Sequence, residues 1–262
     1  MCPFGRRLVN GEGSLLAFGS MVCHCLLVET DDGLVLVDTG FGTADLREFS
    51  RRFPLWFRVV CLPRLDAREP AIRQVERLGY SPADVRHIVP THMDLDHVGG
   101  LADFSDARVH VHQPEYDAAM RRMSASEKSR YLPVHWAHQP KWEIVGSGGD
   151  DWFGFQSVRV IGDRVALIPL YGHTRGHCGV AVRRDDGRWL LHAGDAYFFH
   201  REVHADPWCP LGLRVFQRAA ALDNTSRLRN VARLRDLHAA HGDEVDIFCA
   251  HSPDDFARLS AG

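Results

Sequence analysis

The sequence predicts an α/β fold of layered sheets and helices, and two observations carry that prediction. Short apolar runs bounded by Gly, Asp or Pro recur along all 262 residues, with stretches of helical spacing between them. Some neighbouring runs are joined by tight turns and others by long crossovers, so hairpins and crossover connections are both expected. The length suits a single domain spanning residues 1–262 with a substantial core.

In order, "SLLAFG", "CHCLLVET" and "GLVLVDTG" read as strands, and "ETDDG" (29–33) makes a hairpin of the second and third. "AIRQVERLGY" places Ile72, Val75 and Leu78 at helical spacing, with Gly79 as its end. "VRHIVPTH" is a short buried strand. "ARVHVHQPEYDAAM" is a strand followed by a helix beginning near Pro114. Residues 120–157 are the least regular and read as a long loop or excursion. "RVALIPLYGH", "GVAVRRDD" and "RWLLHAGD" are strands, the last two joined by "DDG". "NTSRLRNVARLRDLHAAHG" is a helix capped at Asn224 or Thr225 and closed by Gly242, and "VDIFCAH" is a final strand.

Composition narrows the function classes. Apolar residues make up 45% and charged residues 25%, which describes a soluble globular chain. The net charge of -3 supplies no basic field for nucleic acid or anionic membrane, and no apolar run has transmembrane length. The arginines of "RLRNVARLR" fit the solvated face of an amphipathic helix. Seven scattered cysteines, an odd number, and an amino terminus without a signal-peptide core indicate thiols in a reducing cytoplasm. "CHC" at 23–25 reads as part of a buried strand, because no second cluster stands at zinc-finger spacing.

The chemistry lies at strand ends. Five apolar runs finish in His or Asp: Asp38, His92, His173, Asp195 and His251. Strand ends of a layered fold gather at one edge, where sites are built. Around His92 the stretch "THMDLDHVGG" adds Asp94, Asp96 and His97. His and Asp are metal ligands, and His92, Asp94, Asp96, His97, His173, Asp195 and His251 are too many for one tetrahedral ion, so two metals fit better.

"VDTG", "THMDLDHVGG", "GHTRGH", "AGD" and "AHS" stand in an order and spacing that resembles the metallo-β-lactamase-fold hydrolases, over about residues 14–256. Within them "VERLGYSPADVRHIVPTHMDLDHVGGL", "HQPEYDAAM" and the 22-residue step from His173 to Asp195 look most like the acyl-homoserine lactone lactonase group. The resemblance implies an αββα sandwich of two mixed sheets flanked by helices. It implies two divalent metal ions, zinc first: His92, Asp94 and His173 on one, Asp96, His97 and His251 on the other, and Asp195 bridging. His177 and Asp38 would support the ligands from behind. The implied activity is hydrolysis of an ester-like bond in a small molecule by metal-activated water, a lactone first. Thioester hydrolysis of the glyoxalase II kind and an iron-dependent persulfide dioxygenase are the alternatives, and a non-catalytic scaffold ranks below them. A homodimer is left open.

Asp96 is the candidate proton shuttle. Tyr197 stands one position before the site of the lactonase group's substrate-contacting tyrosine, where this chain has Phe198, and either touches substrate or packs. His110 and His112 read as ordinary strand positions. Phe18, Met21, Trp56, Phe57, Trp136 and Trp208 either line an apolar pocket or sit in the core. The departure is Asp94, which stands where a third histidine is expected. It either ligates or caps backbone amides. As a ligand it leaves two divalent ions, three aspartates and a hydroxide neutral in sum. That neutral core raises the acidity of bound water less strongly than a positive one, and a carboxylate, a harder ligand than imidazole, moves metal preference towards manganese or iron.

Overall fold

The computed structural model describes residues 1–260, which form two compact units: Cys25–Val145, and Met1–His24 together with the chain from Gly146 onward. Each unit carries one mixed sheet.

The sheet of Cys25–Val145 has five strands in sequential order: β1 (Leu26–Thr30), β2 (Gly33–Val37), β3 (Val85–Val89), β4 (Arg108–His112) and β5 (Lys141–Val145). The β1–β2 hairpin pairs Thr30 with Gly33 across a two-residue turn, as its "DDG" requires. The remaining pairs are parallel, so helices must bridge them. The helices Ala71–Arg77 and Gln113–Arg121 place Ala71, Val75, Ala118 and Ala119 in one core with Leu36, Ile88, Val109 and Val111 of the strands. Burying these aliphatic side chains is worth about 1.5–3 kcal/mol each for the larger ones.

The sheet of the other unit has six strands: β6 (Asp150–Trp152), β7 (Phe155–Ile161), β8 (Val165–Pro169), β9 (Cys178–Arg183), β10 (Trp189–His192) and β11 (Val245–Phe248). They run antiparallel except β10–β11. The helix Asn224–His241 contributes Val231, Leu234 and Leu237 to a core with Ile168, Leu170, Leu191 and Ile247.

Several expectations are corrected. "SLLAFG" forms turns and one isolated bridge, Phe4 to Phe18, because an apolar run without a neighbouring strand to pair with stays open. The "CHC" run precedes β1 rather than belonging to it. Residues 120–157 are not a long loop: they hold the helix Ala125–Arg130, β5 and β6. The cap of the Asn224–His241 helix is Asp223, one residue earlier than expected, whose carboxylate accepts from Thr225 and Ser226 amides. Within that helix Arg227 is buried rather than solvated: it donates to Ala196 and Gln217, and burial lowers its pKa. His110 and His112 are strand residues as expected, but buried, His110 lying 2.9 Å from the His87 ring. Of the aromatic pocket candidates, Phe18, Trp56 and Trp208 are exposed while Met21, Phe57 and Trp136 are buried.

The glycines after the His–Asp cluster have a packing reason. A Cβ on Gly99 would meet Asp45 Oδ2 at 2.2 Å, and one on Gly100 would meet the Thr39 carbonyl at 2.8 Å. Asp45 cannot yield, because it is held by Arg52 Nε at 2.6 Å, His135 Nε2 at 3.2 Å and the Gly42 amide at 2.9 Å.

Candidate metal centre

In the unit Cys25–Val145, Asp38 follows directly on β2 and β3 leads through Pro90 into Thr91 and His92. Asp38 adopts φ +55°, a left-handed conformation that Asp tolerates better than most residues. From there its carboxylate organises the neighbouring loop. It accepts from the Thr91 amide (2.7 Å) and hydroxyl (2.9 Å), and lies 2.7 Å from His97 Nδ1. A carboxylate only accepts, so Nδ1 of His97 carries the proton and Nε2 keeps its lone pair. The Thr91 hydroxyl spends its proton on Asp38 and therefore accepts from His92 Nδ1, 3.0 Å away. His92 is thereby also left with Nε2 as its basic nitrogen. The two rings lie 4.0 Å apart between centroids, with ligand-type atoms within 4.8 Å of one another. A ring fixed through Nδ1 and offering Nε2 is how metal-binding histidines are oriented.

Asp94 occupies the N-cap position of the short helix Leu95–Val98, yet its side chain makes no capping bond. Its Oδ2 stands 3.3 Å from His92 Nε2 and accepts from Arg130 Nη1 at 2.9 Å. The capping alternative is thus set aside. Asp96 and His97 follow in the first and last turns of that helix, both buried.

In the other unit the convergence is on Asp195. Its carboxylate lies 3.4 Å from His173 Nε2 and 3.1 Å from His251 Nε2. His251 Nδ1 donates to the Val22 carbonyl at 2.7 Å, so its Nε2 is the basic nitrogen here as well. Cys23, which sequence reasoning assigned to a strand, offers its sulfur within 4.8 Å of a His251 ring nitrogen. His177 spends both nitrogens on the backbone: Nδ1 donates to Leu170 and Nε2 accepts from the Asp195 amide. That is a supporting position, not a ligand. Phe198 packs its ring against His173 and His251, at 6.0 Å and 4.7 Å between centroids. Tyr197 points elsewhere: its ring is wholly buried in the core with Leu191, Val231 and Leu234, and burial raises its hydroxyl pKa well above the ordinary value.

Each set by itself has the chemistry of a transition-metal site: buried imidazoles, with His92, His97 and His251 oriented through Nδ1, and carboxylates at 3.1–3.4 Å from His92, His173 and His251. Sequence reasoning missed Thr91, although it sits between Pro90 and His92. It also missed Arg130, which lies 36 residues from Asp94 and carries no local signal.

The fold and these His/Asp sets define a metallo-hydrolase. The family model for the metallo-beta-lactamase superfamily matches residues 19–242, and the chain belongs to that superfamily. A probable metallo-hydrolase of Mycobacterium tuberculosis is 44% identical over 247 residues, covering 92% of this chain and 78% of that one. An N-acyl homoserine lactonase of Bacillus cereus is 30% identical over 233 residues, covering 88% and 84%. Among solved structures, a Bacillus thuringiensis AiiA variant with N-decanoyl-L-homoserine bound at its active site superposes with a TM-score of 0.70 at 21% identity, covering 98% and 92%. Two mixed sheets flanked by helices are the α/β sandwich fold of that superfamily. No helix among the described residues is long and apolar enough to cross a membrane.

Proposed function

We propose that this chain is a lactonase with two divalent metal ions, zinc first, acting on N-acyl homoserine lactones or close relatives in a reducing cytoplasm. The observation that carries the reading is the shared orientation of His97, His92 and His251, each turned by a hydrogen bond at Nδ1 so that Nε2 is offered. The lactonase likeness at 30% identity supports the substrate class. None of the seven cysteines is in a disulfide, which supports the compartment.

In this reading the two sets serve one dinuclear centre, as the motif order of the superfamily implies. His92, Asp94 and His173 would hold one ion, Asp96, His97 and His251 the other, and Asp195 both. Bound there, the ions supply Lewis acidity that polarises a carbonyl and makes water acidic enough to attack near neutral pH. The chain's own residues do the rest. Asp38 and Thr91 keep the His92 and His97 rings from turning. Asp96 takes the proton that the attacking water loses and delivers it to the ring oxygen that leaves. Phe198 has no hydroxyl, so it shields the His173 and His251 rings from water rather than polarising the substrate.

The test is an assay of purified protein reconstituted separately with zinc, manganese, iron and cobalt. Substrates are N-acyl homoserine lactones, simple lactones, thioesters, phosphodiesters and β-lactams. Lactone opening that depends on added metal is expected. Thioester turnover with lactones untouched, or sulfur oxidation with iron alone, overturns the reading.

A further inference from the structure

We propose that Asp94 and Arg130 act as one ligand unit that takes the place of the histidine expected at position 94. The inference rests on the dinuclear reading above and concerns a residue, Arg130, that the reading does not use.

Arg130 is built into its position. Its helix, Ala125–Arg130, starts with a reciprocal cap: Glu127 accepts from the Ser124 amide at 2.8 Å while the Ser124 hydroxyl accepts from the Glu127 amide at 3.1 Å. The next residue, Tyr131, donates its hydroxyl to Glu115 Oε1 at 3.1 Å, and the same oxygen accepts from the Met93 amide at 2.9 Å. Residues 93–94 and 130–131 are therefore tied together twice, through Glu115 and through the Asp94–Arg130 pair. Arg130 is 9% exposed and the Asp94 side chain 15%. A guanidinium held this far from water acts as a fixed charge rather than a screened surface ion.

The electrostatic consequence corrects the charge count made from sequence. Three aspartates and a hydroxide leave two divalent ions neutral, but Arg130 adds one positive charge against Asp94. The sum then equals that of a site with histidine at 94. The weaker acidification of bound water expected from a neutral core disappears, while the hardness of the carboxylate oxygen still favours manganese or iron. Arg130 also holds Oδ2, the oxygen 3.3 Å from His92 Nε2, and so stops the short Asp side chain from turning away.

The pair predicts coupling. Asp94→His alone faces an imidazole with a buried guanidinium that has lost its carboxylate. Arg130→Met alone leaves Asp94 without its fixing partner. Each should weaken zinc binding by about tenfold or more, the scale seen when a group behind a metal ligand is removed. The double variant, an apolar side chain behind a neutral imidazole, should recover most of that loss. The measurements are zinc per chain after dialysis, zinc affinity by chelator competition, and the melting temperature of the metal-free protein. Arg130→Lys keeps the charge without the planar fork, and its coupling to Asp94→His decides the matter should Arg130→Met not fold. Asp94→His at wild-type affinity, or losses that simply multiply in the double variant, overturns the inference. A wild-type chain that retains no metal after reconstitution instead overturns the dinuclear reading itself.

Discussion

Asp38 Oδ2 lies 2.7 Å from Nδ1 of His97, and the same carboxylate holds the Thr91 amide and hydroxyl. One side chain thus orients His97 directly and His92 through Thr91. Asp38→Ala should reduce metal affinity by about 10–100-fold while the β2 strand still forms. Chelator competition measures this. Asp38→Asn should fall between, because its amide oxygen still accepts from His97. Equal affinity in all three proteins would show that the rings need no such support.

Gly99 has φ −58°, which any residue adopts, so only space forbids a side chain there. Gly99→Ala should cost about 1–3 kcal/mol by overpacking against Asp45. Gly79 is the reverse case: φ is +90° with nothing within 4 Å of an added Cβ. Gly79→Ala should cost about 1–2 kcal/mol, through backbone strain alone. Denaturant unfolding of both variants, and of Gly99→Ala paired with Asp45→Ala, separates the mechanisms. The Gly99 cost should shrink in the paired variant, down to what the Gly40 and Leu95 carbonyls, each 2.8 Å from the added Cβ, still impose.

Arg227 donates to Ala196, Gln217 and Asn224, and Gln217 in turn donates to Glu202, which accepts from the Phe198 and Phe199 amides. This buried network secures the segment that follows Asp195. Arg227→Met should destabilise by about 3 kcal/mol, since it strands polar partners in the interior. Arg227→Lys should recover little, having one ammonium where the guanidinium serves three partners. Thermal unfolding is the measurement, and wild-type stability in Arg227→Met would contradict the network's importance.

His24 is held at a pKa of about 3 by burial, with His192 and Arg258 adding to the shift. Its folded pKa lies below its unfolded value near 6.5, so between those values the unfolded chain binds more protons. Its contribution is complete above about pH 6.5 and is lost as pH falls towards 3. His24→Phe, which suits packing beside Phe248 and Phe256, should flatten the decline in melting temperature between pH 6.5 and 4. His110, held at about 4 mainly by burial, keeps part of the slope in that variant. An unchanged slope would place the acid sensitivity elsewhere.

Metal removal should lower the melting temperature and abolish lactone opening together, and zinc should restore both, because ions that bind only the folded chain stabilise it by mass action. Differential scanning calorimetry with and without a chelator checks this.

The sequence by itself determined the periodic features and the donor chemistry. Short apolar runs bounded by turn residues specify β2, β3, β8, β10 and β11, since run length and helical spacing are local properties of the chain. The ligand-type residues at their ends were legible because a strand end is a fixed place in a layered fold, and recurring His and Asp there are hard to obtain from packing. Local pattern failed where pairing was remote. "SLLAFG" had the composition of a strand but no neighbour to pair with, and residues 120–157 carried a helix and strands that their loop-like composition hid. The tertiary structure alone decided that Asp45 sits under Gly99, that Tyr197 belongs to the core, that Arg227 is buried, and that Arg130 meets Asp94. These are contacts between segments far apart along the chain: 31 residues between Ala196 and Arg227, 36 between Asp94 and Arg130, and 54 between Asp45 and Gly99. A salt bridge or a close contact of that span leaves no periodicity in the sequence. It exists only once folding has brought the two segments together.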